Sequence, residues 1–428
     1  MLKTKSTLLN ALSGKSVLVW GARMTGMGLQ RLLRSHSNDI LGFIDSDPAM
    51  QSKPVCGLEV FAPDSLQDIV KKHPDVCIII AVSIKESEIL EQLKSLGLAN
   101  VETILYSDYC ESFYTIDIMG SCNLKCPSCA HGAQTGKYPQ GRMSKKSFEK
   151  VVDKIISENE LVTHVSLYSW GEPMLHKDLP DFIRYLHSKN IAVALSSNIS
   201  IDNDKLLAEV ISLSPEYLKI SLSGFYPEAY NRTHTGGDIN LVKSNLYRLK
   251  YYIEKYKSHT FIDVNYHLYK DNNSLNLMKM QELCDELGFS LSSTYSLIMP
   301  LERCINHLEG NSDPKTVSLN QSLLVSVEEG VEATKNNKSD SCPFRENQIN
   351  INWDLTVPVC CTVFEQSGTT VAKDFLSVTT EQINKAKGKA EICKKCMAYG
   401  LPAYNMGFNK KRWAEIASEK ISLDRQTK

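Results

Sequence analysis

The sequence lacks an excess of one charge, a long apolar run and any repeat, and each absence removes a class of function. Its 428 residues carry 48 basic and 49 acidic side chains, a formal charge of -1, so no long-range field draws it to nucleic acid or an anionic membrane. The opening MLKTKSTLLNALSGKSVLVWGA is too interrupted by polar residues for a secretory signal, and no apolar run approaches the roughly 20 residues that cross a bilayer. Neither a solenoid-period repeat nor a low-complexity tract is present. The expectation is a soluble, cytoplasmic protein with no nucleic-acid and no membrane partner. At 42% hydrophobic and 23% charged, the chain has apolar surface enough for two or three domains.

Cysteine, in contrast, is abundant. Thirteen cysteines in a reducing compartment point to metal ligands rather than disulfides. Cys56, Cys77, Cys110, Cys284 and Cys304 stand singly, as small buried apolar residues do. Cys122, Cys126 and Cys129 form one tight group, and Cys342, Cys360, Cys361, Cys393 and Cys396 a second.

Residues 1–110 alternate apolar runs (SVLVW, ILGFID, GLEVF, VCIIIAV, VETIL) with a glycine turn GARMTGMGLQRLL and helices near 63–73 and 85–97. That is the pattern of an α/β, doubly wound, Rossmann-like parallel sheet. From 111 to 304 the alternation restarts with FYTIDIM, HVSLYSW, IAVALSS, YLKISLS, FIDVNYHLY and FSLSSTYSL, with helices near 144–158, 178–189, 238–257 and 274–287. Six such units predict a partial (β/α)6 TIM-like barrel with its reactive groups at strand ends. Residues 305–341 read as a connector with one helix. Residues 342–428 read as a small cysteine-rich domain with the strand ININW and a C-terminal helix, KKRWAEIASEK.

CNLKCPSC places three thiolates on the loop after a strand, enough to bind three irons of a cubane cluster and leave the fourth open. With His131 in CAHG as a fourth ligand, the same group also reads as a zinc knuckle. The CxxxCxxC pattern at the end of the first barrel strand resembles the radical S-adenosylmethionine superfamily, over about residues 113–300. The resemblance implies a [4Fe-4S] cluster with an open iron, which chelates the amino and carboxylate groups of S-adenosylmethionine. One electron, from a flavodoxin- or ferredoxin-type reductant, then gives methionine and a 5′-deoxyadenosyl radical that takes hydrogen from substrate. It further implies that Gly171, Glu172 and Pro173 of WGEPML hold the methionyl amino group. Asn198, Ser221 and Ser223 stand where family members bind the carboxylate and ribose. The aromatic residue that often precedes the family's third cysteine is Ser128 here.

Cys342, Cys360, Cys393 and Cys396 are enough to saturate a cluster, with zinc as the alternative. Their spacing resembles the SPASM or shorter twitch auxiliary-cluster domain. Leu355 replaces that domain's usual glycine, and the extra cysteine run of two-cluster versions is missing, implying one auxiliary [4Fe-4S] cluster. Cys361 faces away from Cys360 on an extended chain and reads as packing. A fully ligated auxiliary cluster favours oxidation of a substrate radical. Epimerisation needs a hydrogen donor instead, for which Cys284 and Cys304 are candidates. His267, Tyr266 and Tyr269 are candidates for a general base by position alone.

In the first domain Gly21, Gly26 and Gly28 give GxxxxGxG, not the dinucleotide fingerprint, yet a glycine turn feeding a helix still favours phosphate. Asp45 ends the second strand, where a ribose-binding carboxylate stands. VLVWGARMTG, LGFIDSDP and PVCGLEVF resemble the sugar-nucleotide or acyl-coenzyme-A binding domain found ahead of sugar acetyltransferases. A docking or dimerisation module is the alternative. The whole predicts a radical oxidoreductase or epimerase acting on a carbohydrate or other small polar molecule, with nucleotide linkage as one option. A peptide-modifying maturase is disfavoured because residues 1–110 do not read as a winged helix, and an iron–sulfur sensor because of the GEP segment.

Overall fold

The computed structural model describes residues 3–426 apart from 52, 111 and 134–139, so the predicted domain limits at 1, 111 and 428 lie outside the described residues. The first domain holds β1 (Ser16–Trp20), β2 (Asp39–Ile44), β3 (Val60–Phe61), β4 (Cys77–Ile80) and β5 (Glu102–Leu105). They form one parallel sheet in the order β3-β2-β1-β4-β5. β1 and β4 are buried along their whole length, which is why they read as unbroken apolar runs. The chain leaves β1 through Gly21 at φ 112°, a conformation open to glycine, and enters the helix Met24–Ser35.

The second sheet contains the six predicted strands, β6 (Phe113–Asp117), β7 (His164–Ser166), β8 (Ala192–Ser197), β9 (Tyr217–Leu222), β10 (Phe261–Leu268) and β11 (Ser290–Tyr295). Amphipathic helices cover it. In Lys145–Glu158, Ser144 caps the first turn and Phe148, Val151, Val152 and Ile155 recur at helical spacing to bury one face. A seventh strand, β12 (Gln348–Asn352), pairs parallel with β6, setting Gln348 opposite Phe113 and Asn352 opposite Asp117. The ININW strand thus belongs to the barrel sheet, where it satisfies the backbone groups β6 would otherwise leave open.

The connector is more ordered than the sequence suggests. Three helices, Leu301–Leu308, Pro314–Ser322 and Val327–Thr334, run through it, each of eight or nine residues and too short for an apolar period to stand out. Their buried faces share one core with Val359, Cys360, Cys396, Tyr404 and Trp413 of the cysteine-rich segment. That segment adds the antiparallel pair β13 (Val357–Pro358) and β14 (Thr370–Ala372) and ends in the predicted helix, Lys410–Gln426. No disulfide links any of the thirteen cysteines, and no helix among the described residues is long and apolar enough to cross a membrane.

The first domain sits on the amino-terminal mouth of the barrel. Thr163, Glu216, Asp263 and Phe289, which precede or open β7, β9, β10 and β11, all bond to it. Tyr106 meets Thr163 at 2.9 Å, Arg31 meets Glu216 at 2.5 Å, Arg23 meets Asp263 at 3.1 Å, and Lys53 reaches the Phe289 carbonyl. Leu161, Ala194, Tyr217 and Phe261 of the barrel join the apolar core of the first domain. A Cβ on Gly28 would lie 2.4 Å from the Thr163 carbonyl oxygen, so this glycine lets the helix Met24–Ser35 press against the barrel.

Candidate active site

At the opposite mouth the chain leaves β6 at Asp117 and enters the first cysteine loop. Cys122 accepts hydrogen bonds from the Leu124 amide at 3.4 Å and from Asn198 Nδ2 at 3.7 Å. Cys126 and Cys129 are joined by a turn, Cys129 N to Cys126 O at 3.0 Å, that leads into the short helix Ala130–Ala133. Burial, then the Glu172 carboxylate, push the Cys122 thiol up to about 12; burial and the neighbouring thiols push Cys126 up, and burial raises Cys129. Half-buried thiols that desolvation holds protonated become thiolates when a cationic centre binds them, so the set fits an iron–sulfur cluster. Among the described residues no three His, Cys, Asp or Glu side chains converge as a single ion requires. The ligands of a cubane, which is a wider body, need not converge on one point. His131, the alternative zinc ligand, packs edge-on to Phe364 at 5.4 Å, and its buried Nε2 has no hydrogen-bond partner.

The WGEPML segment is locked beside this loop. Asp117 accepts the amides of Trp170 at 3.1 Å and Gly171 at 3.3 Å, and burial raises its carboxyl to about 7. A Cβ on Gly171 would lie 1.4 Å from the Met119 carbonyl oxygen, so no side chain fits. Glu172 is buried and accepts from Ser197 Oγ at 2.7 Å, the Asn198 amide at 2.8 Å and the Met174 amide at 2.9 Å. Its own amide donates to the Ser121 carbonyl at 2.9 Å. Glu172 therefore ties the loops after β6, β7 and β8 together. Pro173 opens the turn Pro173–Leu175, in which Pro173 and Met174 are buried. Asn198 bonds Asn123 at 3.0 Å as well as Cys122, touching the cysteine loop directly.

The remaining predicted residues divide. Ser221 lies 3.5 Å from Ser196 on the neighbouring strand, at the carboxyl half of the barrel. Ser223 is fully buried, with its hydroxyl taken by Thr233 at 2.5 Å and His234 at 2.6 Å. Tyr266 donates to the Asn272 carbonyl at 2.9 Å within the core, whereas burial and the nearby His234 lower His267 to about 3, so it stays neutral. Tyr269 is buried, and burial raises its phenol while Ser128 of the cysteine loop acts to lower it. Cys284 is buried, with Lys53 and Asp263 of the amino-terminal mouth among its charged neighbours, and Cys304 packs in the connector core. Gly21, Gly26 and Asp45 share one sheet edge, but Asp45 accepts the amides of Ala22 at 3.0 Å and Asp47 at 2.9 Å, and Gly28 faces the barrel.

The second cysteine group does assemble. Cys393 and Cys396 lie one turn apart on the helix Glu391–Tyr399, and Cys342 and Cys360 interact electrostatically with both. Burial and these neighbours push Cys393 up to about 11. Cys361 also lies against Cys360 and Cys342. Leu355, at the position for which the SPASM resemblance implies glycine, occupies the left-handed region at φ 71°. Lys387, which the sequence did not single out, has no exposed surface, and among the described residues its ammonium bonds the Gln348 carbonyl alone. Burial lowers it to about 8, while Cys360, Cys361, Cys393 and Cys342 act to raise it. A buried ammonium is costly without an anion. Neutral thiols do not supply one; thiolates on a cluster do, so the residues fit an auxiliary cluster.

The two cysteine groups are joined. Trp170 Nε1 donates to the Val363 carbonyl at 2.9 Å, Leu301 N to Thr362 O at 2.8 Å, and Met299 N to Ser128 O at 3.2 Å. Phe364 packs edge-on to both Trp170 and His131 at 5.4 Å. Asp117 left only the signal of an acid ending an apolar strand; Lys387 left none.

Comparison with known proteins follows the same lines. Residues 116–269 match the family model described as the Radical SAM superfamily. Over 144 residues, 32% of this chain, the sequence is 28% identical to a GTP 3',8-cyclase of Limosilactobacillus fermentum, covering 42% of that protein. Over 103 residues, 24% of this chain, it is 27% identical to an Fe-coproporphyrin III synthase of Methanosarcina barkeri, covering 25% of that protein. The chain thus spans less than half the length of these curated relatives. The structure of anSMEcpe with bound AdoMet aligns with 74% of this chain and 100% of that chain at 18% identity, with a TM-score of 0.46, too low to carry activity from it.

Proposed function

Taking residues 116–269 as a radical SAM domain, we propose that the chain is a cytoplasmic enzyme that cleaves S-adenosylmethionine reductively and takes a hydrogen atom from a small polar substrate. The observation that carries this reading is the cradle of three half-buried thiols beside a glycine that no side chain can replace, with Asn198 bonded to the loop between them. When bound, a [4Fe-4S] cluster with its cosubstrate supplies the electron and the 5′-deoxyadenosyl radical. Cys122, Cys126 and Cys129 hold the cluster. Asp117 and Glu172 position the cradle rather than touch the cosubstrate, because their oxygens are occupied by loop amides and Ser197. Gly171, Pro173, Asn198 and Ser221 present backbone and polar groups to the cosubstrate, and Ser223 acts through His234 and Thr233.

Cys342, Cys360, Cys393 and Cys396 bind the auxiliary cluster, with Lys387 as its counter-charge. A fully ligated second cluster favours oxidation of the substrate radical over epimerisation. The burial of Cys284 toward the amino-terminal mouth, and of Cys304 in the connector core beside Cys396, supports the same choice. The first domain seals the barrel's amino-terminal mouth and does not hold substrate.

The test is anaerobic purification, an iron and sulfide count, and assay of 5′-deoxyadenosine after dithionite and S-adenosylmethionine, beside a Cys122/Cys126/Cys129→Ala variant. About eight irons per chain, with cleavage lost in the variant, is the expected result. A fully loaded wild type that cleaves no S-adenosylmethionine overturns it.

A further inference from the structure

Beside the first cysteine loop lies a cavity of about 540 Å³ whose walls come from the loop itself, from the segments after β9 and β10, and from the connector helices. Its charged lining is unbalanced: Lys125, Arg232, Arg303 and Lys315 face a single carboxylate, Asp271. The chain as a whole carries a formal charge of -1, so this concentration of positive charge is local. Asp271 is itself engaged by Arg232 at 2.8 Å. Among the described residues no carboxylate forms a close ion pair with Lys125, Arg303 or Lys315; Asp313, outside the cavity lining, acts on Arg303 electrostatically and shares Thr316 with it. Arg303 is instead fixed by neutral oxygens, the Pro127 carbonyl at 2.6 Å and Thr316 Oγ1 at 2.7 Å, which hold its guanidinium at the junction of loop and connector.

Like charges gathered in a concave site repel one another, and the arrangement is relieved by an anion that enters it. A guanidinium fixed in place recognises the planar or tetrahedral oxygens of a carboxylate or phosphate. The volume suits a small metabolite bearing such a group. Lys125 and Pro127, between Cys122 and Cys129, line the cavity directly, so a molecule anchored here lies against the loop that holds the cluster.

We propose that this cavity is the anion subsite for the substrate, binding a phosphate or carboxylate carried by the molecule on which the radical acts, through Lys125, Arg232, Arg303 and Lys315. The inference rests on the radical-enzyme reading and names its substrate class as anionic.

The experiment is anaerobic titration calorimetry of the full-length, iron-loaded protein with inorganic pyrophosphate and, separately, with succinate. Arg232→Gln and Lys315→Glu are compared with Lys71→Glu, a matched charge reversal on the exposed surface of the first domain. Iron content and melting temperature equal to wild type show that each variant folds. At least one of the two anions is expected to bind, weakening by about tenfold or more in Arg232→Gln and Lys315→Glu and remaining as in wild type in Lys71→Glu. Pyrophosphate alone assigns a phosphate, succinate alone a carboxylate. Binding of neither anion, or equal weakening in Lys71→Glu, overturns the subsite. Anion binding without formation of 5′-deoxyadenosine instead leaves the subsite standing and removes the radical-enzyme reading.

Discussion

The first domain and the barrel are built alike, as parallel strands joined by helices, and in both the loops at the carboxyl ends of the strands gather glycines and polar side chains. They differ in what those ends face. The carboxyl edge of β1, β2 and β4 is pressed toward the barrel through Arg23 and the helix Met24–Ser35, and its acid, Asp45, is occupied by backbone amides. The carboxyl edge of β6 to β10 instead opens onto three thiols and a cavity. A sheet edge suited to a ligand becomes a site only when nothing else fills it.

The largest effect that sharpens this contrast is at Gly171. With a Cβ 1.4 Å from the Met119 oxygen, Gly171→Ala must move the loop relative to the cysteines. Formation of 5′-deoxyadenosine is expected to fall about a hundredfold or more while the iron count stays at the wild-type value. Wild-type cleavage by the alanine variant would break the assignment of this segment to the cosubstrate.

Asp117 comes next. Its carboxyl is raised to about 7 by burial, so the fold favours the protonated acid. Its contribution is therefore fully present below the ordinary carboxylate range near pH 4 and is lost as pH rises through about 7, up to about 4 kcal/mol in all. Asp117→Asn cannot ionise, and one of the amides it faces would meet an NH2 group. Urea midpoints should show the variant less stable than wild type in acid, with the gap closing between about pH 5 and 8. A gap independent of pH would mean that Asp117 is already ionised throughout.

Gly28 measures the other edge. Gly28→Ala sets a methyl 2.4 Å from the Thr163 oxygen, and overpacking of this kind costs about 1–3 kcal/mol. Denaturation should register that loss, whereas the concentration dependence of S-adenosylmethionine cleavage should be unchanged, since the contact lies at the mouth opposite the cysteines.

Much of this contrast was legible in the residues. β1 and β4 read as buried strands because burial on two faces leaves unbroken apolar runs, and the cysteine loop and Gly171 read as a site because their spacing carries chemistry locally. What was hidden is non-local. ININW reads as a strand but says nothing of its partner, since pairing parallel with β6 leaves no mark within five residues. Glu172 was legible in position but not in role, because its partners Ser197 and Asn198 come from another strand. Lys387 looks like any lysine on a polar helix until the fold buries it among thiols. Gly21, Gly26 and Gly28 read as a phosphate turn because close approach of a backbone and close approach of a ligand call for the same residue.

Asp45 gives the smallest effect and separates those two uses of the same residues. Its two oxygens accept different amides, Ala22 through one and Asp47 through the other. Asp45→Asn keeps one acceptor and turns an NH2 toward the other amide, which costs about 1 kcal/mol for one lost hydrogen bond at a half-buried site. If the edge is structural, melting falls slightly and neither wild type nor variant responds to added nucleotide sugar. If Asp45 instead holds a ribose, nucleotide sugar stabilises the wild type and not the variant, because a ligand bound only to the folded state raises its apparent stability in proportion to occupancy. That second outcome would require the first domain to part from the barrel far enough to admit the ligand, breaking the Arg23–Asp263 contact, and the two sheet edges would then differ in timing rather than in kind.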